Sequence, residues 1–168
     1  MNKRRFAHWT YYESPVGWIS ISGNGSVSEI AFMDEAPTQF YTPAPAYLEE
    51  AVHQLDEYFH KKRTTFDLSL DLREGTEFQR NVWNHLLDIP FGHTTSYLKI
   101  ADKVGDRKAV RAVGGAVGQN PIAIVVPCHR VVGSNGDLTG FAGGLHRKEF
   151  LLALENPEQF GKQENLFW

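Results

Sequence analysis

The sequence predicts an α+β fold, with a small mixed α/β N-terminal domain and a mostly helical C-terminal domain. Strand-like alternation and a hairpin signal fall in the first half of the chain, whereas short helical patterns dominate after residue 75. The 168 residues are 42% hydrophobic and 12% aromatic, which is ordinary for a folded protein. We place the domains at residues 1–74 and 75–156, followed by a tail at 157–168.

The N-terminal domain is predicted to open with a β-hairpin. Residues 16–22 and 27–32 have the composition of strands, and the GNG sequence at 23–25 is typical of a hairpin turn. Helical spacing of apolar residues follows over 48–59. Apolar residues alternate again over 66–72, which predicts a further strand with one buried face.

The C-terminal domain is predicted to begin with three helices. Thr76 and Gln79 have the spacing of a capping box, so a helix should start there. Ser96 and Asp106 are suitable N-caps for the next two helices. Residues 96–118 therefore predict a helix-turn-helix, a motif that binds DNA but also occurs as a simple packing unit.

The only cysteine, Cys128, follows an apolar run at 122–126 and a proline. We interpret the run as a buried strand that ends at Pro127, because proline cannot donate to a strand ladder. Cys128 is then presented at an edge or turn. A glycine-rich loop at 133–144 and a helix over 145–155 complete the domain.

Cys128 is the first candidate for chemistry. A thiol reacts as its thiolate, so an ordinary cysteine with a pKa of about 8.5 needs a neighbouring base or cation. His129 and Arg130 could provide that help. A lone cysteine is more often a small buried apolar residue, but the preceding proline favours a reactive group.

Composition excludes several classes of protein. A single cysteine permits neither an internal disulfide nor a Cys-rich zinc site, which suits the cytoplasm. We find no export signal, membrane anchor, Walker loop, dinucleotide fingerprint or paired-His metal motif. The net charge is −3, but residues 75–155 hold nine Lys/Arg and seven Asp/Glu, a balance of +2. This excess permits a small nucleic-acid contact without establishing one.

Several separated motifs in the second half of the chain occur together in one family. They are RAVGGA at 111–116, NP at 120–121, PCHRV at 127–131, GG at 143–144, and KE at 148–149 followed by LL at 151–152 and Glu155. In this combination, residues 91–155 closely resemble the C-terminal domain of the O6-alkylguanine-DNA alkyltransferases. The resemblance extends more loosely to 14–17 and 76–83. It implies a ribonuclease H-like N-terminal domain and a winged-helix-like C-terminal domain.

The resemblance implies direct, irreversible transfer of an alkyl group from O6 of guanine in duplex DNA to Cys128, one lesion per molecule. His129 would act through a bound water as the base for Cys128. Glu155 would orient and polarise His129, which gives a Cys-His-Glu relay. Without the family pattern, His129 would be interpreted as a core histidine and Glu155 as a surface carboxylate.

The resemblance also assigns residues to DNA binding. Arg111 would fill the space that the flipped nucleotide leaves, and the helix over 108–117 would enter the minor groove. Ala112, Gly114 and Gly115 are small enough for close approach to the groove. Arg130 is a further candidate DNA contact.

The flipped base is expected to lie in a pocket. Tyr97 would contact the nucleotide and donate a hydrogen bond to the departing base. Asn120 would brace the turn before Cys128. Backbone groups near Val131 and Ala142 would read the base, and Phe141 would line the pocket. Many family members have tyrosine and serine at 141 and 142, so contacts through those hydroxyls are lost here.

We expect no cofactor and no metal. The human member of the family binds zinc through cysteines of its N-terminal domain, and this chain lacks them. The expected partner is double-stranded DNA that contains O6-alkylguanine, with O4-alkylthymine as a second candidate substrate. We expect a monomer in solution.

Two other functions fit part of the same evidence. Alkyltransferase-like proteins carry tryptophan at the reactive position and only bind damage; Cys128 argues against this alternative. A thiol hydrolase or acyltransferase could use Cys128, His129 and Glu155. Turnover separates the hypotheses, because a hydrolase regenerates its thiol and an alkyltransferase does not.

Overall fold

A computed structural model describes residues 5–39 and 43–161. Its strands and α-helices are β1 (His8–Ser14), β2 (Gly17–Gly23), β3 (Val27–Phe32), α1 (Ala46–Phe59), α2 (Glu77–Leu86), β4 (Thr95–Ser96), α3 (Tyr97–Lys103), α4 (Val110–Gly118), β5 (Val131–Val132), α5 (Leu145–Glu155) and α6 (Pro157–Phe160). Short 3₁₀ turns at Arg107–Ala109 and Cys128–Arg130 precede α4 and β5. The sheet followed by a helical region confirms the predicted α+β class.

The N-terminal sheet is antiparallel in the order β1-β2-β3. The predicted hairpin between β2 and β3 is confirmed, but the sheet begins one strand earlier than expected. The sequence of β1 does not show a clear apolar face, because none of its residues is fully buried in the fold and no position has to be strictly apolar. One face of the sheet packs against α1, as the helical pattern over 48–59 predicted.

The strand predicted at 66–72 is wrong. The segment is extended, but in this stretch only Leu70 forms a bridge, in parallel with Val27. The side chain of Gln54 on α1 bonds both backbone groups of Asp67, each at 2.9 Å. The side chain of Gln54 thus makes hydrogen bonds that a neighbouring strand would otherwise make. The alternating apolar residues of this segment are partly buried without forming a strand.

The helix caps predicted for the C-terminal region are confirmed. Thr76 and Gln79 form a complete capping box at α2. Ser96 accepts a hydrogen bond from the Lys99 amide at α3, and Asp106 accepts one from Lys108 at the 3₁₀ turn before α4. Helices α3 and α4 form the expected helix-turn-helix and pack with α2.

The strand predicted at 122–126 is also wrong. Ile122 forms one bridge with Ile30 of β3, and the chain then folds into a buried turn. Ile124 adopts a φ of 70°, which is costly for a β-branched residue. The apolar run is buried on all sides, and such a run does not distinguish a strand from a buried turn. Cys128 consequently begins a 3₁₀ turn and does not follow a strand end.

Residues of the N-terminal sheet and of the C-terminal helices share one buried apolar cluster. Leu70 and Ile122 both form bridges with β3, and the predicted domain boundary at residue 75 lies between them in the sequence. The boundary itself stays a prediction. The predicted tail begins with the short helix α6, and residues 162–168 lie outside the described part of the chain.

Candidate active site

Cys128 lies in the wall of a cavity of about 270 Å³, and 7% of the residue is exposed. The cavity lies between strand β3, the end of α4 and the glycine-rich loop. Its lining includes Phe32, Gly118, Asn120, Pro121, Cys128, Gly140, Phe141 and Ala142. Burial raises the pKa of the Cys128 thiol, against a hydrogen bond from Asn120 and the charge of Lys148. The thiol is therefore protonated at rest and needs a base in order to react.

Asn120 bonds both ends of the buried turn that leads to Cys128. Its Nδ2 donates to the Val126 carbonyl at 2.7 Å, and its Oδ1 accepts from the Ile122 amide at 3.0 Å. These bonds pair backbone groups at both ends of the turn. Asn120 also lowers the pKa of the Cys128 thiol, so the residue that holds the turn also acts on the reactive atom.

His129 and Glu155 form the pair that the resemblance implied. Nε2 of His129 lies 2.7 Å from Oε1 of Glu155, and both side chains are buried. Burial lowers the pKa of His129, against the hydrogen bond and charge of Glu155, so the imidazole is neutral near pH 7. With Nε2–H donating to the carboxylate, Nδ1 is left as an acceptor. This Nδ1 is buried and has no hydrogen-bond partner among the described residues.

Arg130 does not face the surface, which corrects its prediction as a DNA contact. Its Nε and Nη2 donate to Glu155 at 2.9 and 2.8 Å, and its Nη1 donates to the Ile89 carbonyl at 2.6 Å. The residue is 6% exposed, so it cannot reach DNA in this conformation. Burial alone would raise the pKa of Glu155, but hydrogen bonds from His129 and Arg130, the charge of Arg130 and, in acid, the charge of protonated His129 lower it to about 2. Because His129 is neutral, Arg130 provides the charge that balances the carboxylate.

Tyr58 was not predicted as a site residue. It lies on α1, and its hydroxyl donates to Oε1 of Glu155 at 2.8 Å. In the sequence it continues the apolar spacing of α1 and stands 97 positions away from its partner. No local pattern distinguishes it from an ordinary core residue.

Lys148 belongs to one of the sequence motifs and is fully buried beside the site. Its Nζ donates to the Val131 carbonyl at 2.7 Å and to the Thr139 carbonyl at 2.9 Å. Burial lowers the pKa of Lys148 to about 8. The side chain thus connects α5 to β5 and to the glycine-rich loop.

Tyr97 and the loop residues form a second cavity, of about 380 Å³, next to the first. Tyr97 is half-buried, and its hydroxyl donates to the Thr139 carbonyl at 3.3 Å. Burial raises the pKa of Tyr97, which keeps the hydroxyl protonated as a donor. Phe141 and Ala142 line both cavities, whereas Val131 contributes its carbonyl to Lys148.

The outer face of α4 borders the second cavity. Arg111, Ala112 and Gly115 are exposed on this helix, and Gly114 lies close to the ring of Tyr97. Residues 97–118 carry five Lys/Arg and two Asp/Glu, a local excess of positive charge in a chain with a net charge of −3. Small residues beside an arginine make a surface that can approach a polyanion closely.

Within residues 5–39 and 43–161, no cluster of three His, Cys, Asp or Glu side chains could hold a metal ion. In the same part of the chain, no helix combines the length and apolar character needed to cross a membrane.

A helix-turn-helix next to a buried thiol and a His-Glu pair is the arrangement expected of a DNA-modifying protein whose reactive group is a cysteine. Comparison with known sequences identifies the family. Residues 77–157 match the model of the 6-O-methylguanine DNA methyltransferase DNA binding domain, and residues 7–72 match its ribonuclease-like domain. The chain belongs to the 6-O-methylguanine DNA methyltransferase family, as the sequence motifs predicted.

Individual relatives support the same family assignment. The methylated-DNA--protein-cysteine methyltransferase of Mycobacterium tuberculosis is 49% identical over 152 residues, which is 88% of this chain and 92% of that protein. The protein of the same name from Methanosarcina acetivorans is 46% identical over 154 residues, covering 88% and 97%. The crystal structure of Mycobacterium tuberculosis OGT in complex with DNA superposes with a TM-score of 0.81 at 47% identity, covering 90% of this chain and 94% of that one.

Proposed function

We propose that the protein repairs DNA by moving an alkyl group from O6 of guanine in a duplex onto Cys128. The observation that carries the proposal is the His129–Glu155 pair at 2.7 Å, next to a thiol in the wall of a cavity. Membership of the family supports the same reaction. The bond between O6 and the alkyl carbon breaks, and a bond between that carbon and Sγ forms.

Proton movements accompany the transfer. The thiol proton passes through a water molecule to Nδ1 of His129, and Glu155 stabilises the resulting imidazolium. The departing guanine gains a proton, with the hydroxyl of Tyr97 as donor, so that it leaves neutral. Tyr97 then regains a proton from water and His129 releases one to water, so the transfer involves no net gain or loss of protons. The stable thioether at Cys128 ends the reaction, and each molecule acts once. The reaction needs no cofactor, because DNA brings the alkyl group and the protein accepts it.

The lesion must leave the base stack before it can reach Cys128. Extruding a nucleotide costs a few kcal/mol, and less for a badly paired base. We assign the exposed face of α4 to the minor groove and Arg111 to the space that the nucleotide vacates. Ala112, Gly114 and Gly115 favour this close approach. The flipped base would occupy the cavities beside Phe141 and Ala142, with backbone groups near Val131 and Ala142 reading its edge.

A cytoplasmic location fits the single reduced cysteine. We retain residues 1–74 and 75–156 as the proposed domain limits.

Repair stoichiometry tests the proposal against a thiol hydrolase. A duplex with one O6-methylguanine is supplied in tenfold excess, and the loss of the lesion is followed to completion. We expect the loss to stop at one lesion per protein molecule. Continued turnover would contradict the proposal and favour the hydrolase, and binding without loss of the lesion would favour a damage sensor.

A further inference from the structure

The carboxylate of Glu155 is held from both halves of the molecule. From the C-terminal half come His129, Arg130 and the Gly92 amide, the last at 3.3 Å. From the N-terminal half comes Tyr58, whose hydroxyl shares Oε1 with His129. Tyr58 therefore touches the same oxygen atom that orients the proposed base.

The ring of Tyr58 is fixed by its surroundings. It contacts Phe59, Phe66 and Phe91, with ring centres 5.2, 5.5 and 6.1 Å away, and the residue is fully buried. Phe91 in turn lies 5.9 Å below the guanidinium of Arg130. A tyrosine that is needed only for packing does not need its hydroxyl, whereas this hydroxyl points at a buried charge.

We propose that Tyr58 is a positioning residue of the alkyl-transfer site, through which the N-terminal domain holds Glu155 and thereby sets the basicity of His129. This inference rests on the proposed function and adds to it a role for the N-terminal domain.

Removal of the hydroxyl should make Glu155 a stronger base. Oε1 would keep only His129 and Arg130 as donors, so the negative charge would be less well stabilised and would interact more strongly with His129. The pKa of His129 should then rise. Among the described residues, the charged and titratable groups that act on this pair are Tyr58 from α1, Arg130 from the 3₁₀ turn and Lys148 from α5.

The kinetic consequence is specific to pH. Transfer requires neutral His129, so the rate falls as the pH drops through the pKa of His129. In Tyr58→Phe this acidic limb should move up by about one pH unit, which corresponds to a rate about tenfold lower at a given acidic pH. Above the limb, the two proteins should differ by less than about twofold. Loss of packing alone would lower stability without moving the limb.

Tyr12→Phe is a matched control. Tyr12 also donates to a carboxylate, Asp56, at 3.0 Å, and its ring also contacts Phe59. That bond lies away from the candidate site, so its removal deletes the same chemical group without touching Glu155. The rate of methyl transfer from a duplex with one O6-methylguanine is measured from pH 5 to 9 for the wild type and both variants.

A shifted limb in Tyr58→Phe with an unshifted limb in Tyr12→Phe would support the inference. If the acidic limb falls at the same pH in all three proteins and the wild type is active, the inference is wrong. An inactive wild type would instead overturn the proposed function. If Tyr58→Phe does not fold, 3-fluorotyrosine incorporated at position 58 decides the matter. It keeps the packing and donates a stronger hydrogen bond, so the limb should move to lower pH, and an unmoved limb would contradict the inference.

Discussion

Oε1 of Glu155 lies 2.7 Å from Nε2 of His129, and Arg130 donates one hydrogen bond to each oxygen of the same carboxylate. The arrangement fixes which nitrogen of His129 carries the proton. Nδ1 is left as an acceptor without a partner among the described residues, and the site as a whole leads to five predictions.

Cys128→Ala should abolish methyl transfer and leave binding to lesion-containing DNA within about twofold of the wild type. The thiol is the acceptor, whereas the exposed face of α4 is unchanged by the substitution. Transfer is followed by loss of O6-methylguanine, and binding by fluorescence anisotropy. Transfer that persists in the variant would exclude Cys128 as the acceptor.

Arg111→Ala should slow reaction with a paired lesion by about tenfold, because the flipped state loses the side chain that supports it. Reaction with the free alkylated base needs no flipping and should change much less. Arg107→Ala removes an exposed charge from the neighbouring 3₁₀ turn and serves as the control. Equal losses on both substrates would argue against this role for Arg111.

Glu155→Gln should lower the free energy of unfolding by about 3 to 5 kcal/mol, because Arg130 would stay buried without a balancing charge. Glu149→Gln makes the same change at an exposed position of α5 and should cost less than about 0.5 kcal/mol. Urea denaturation at pH 7 measures both. Similar stabilities for the two variants would show that the buried pair contributes little.

The stability of the wild type should fall in acid because of the same carboxylate. The pKa of Glu155 is about 2 in the folded protein and 4.5 in its ordinary state, so the unfolded chain binds the proton more tightly. The contribution is complete above pH 4.5, declines as the pH falls towards 2 and is lost below it. Urea midpoints between pH 6 and 2 should show this decline, and Glu155→Gln should show a shallower one.

Lys148→Met should lower the transfer rate by about tenfold while the protein remains folded. The substitution leaves the Val131 and Thr139 carbonyls without the ammonium that joins them, so the loop beside both cavities becomes less ordered. Lys62→Met, an exposed change of the same kind just after α1 and outside residues 97–118, should keep the wild-type rate. Single-turnover kinetics compares the two, and a wild-type rate in Lys148→Met would contradict the expected role.

Local chemistry made part of the structure predictable. The caps at Thr76, Ser96 and Asp106 and the hairpin turn at 23–25 depend on a few neighbouring residues, and the structure has each of them. The strands expected at 66–72 and 122–126 failed for another reason. Alternation and apolar runs indicate burial, but burial does not require a strand. The backbone at 66–72 is bonded by the side chain of Gln54, and residues 122–126 fold into a turn.

The predictable part of the site was the part that lies in short motifs, together with Glu155 and Tyr97, which the family resemblance supplied. Cys128 and His129 are adjacent, and Asn120 stands shortly before them. Tyr58 and Lys148 were missed as site residues because each reaches its partner through the tertiary fold. The prediction of Arg130 as a DNA contact is wrong because Glu155, 25 residues later, pairs with its guanidinium and offsets the cost of burying it.

Intact-protein mass spectrometry tests the central claim most directly. The protein is mixed with a duplex that contains one O6-methylguanine, and the product is digested and its peptides are mapped. We predict a gain of one methyl group, about 14 Da, on Cys128 of every reacted molecule. An unchanged mass after loss of the lesion, or a methyl group on another residue, would contradict alkyl transfer to Cys128.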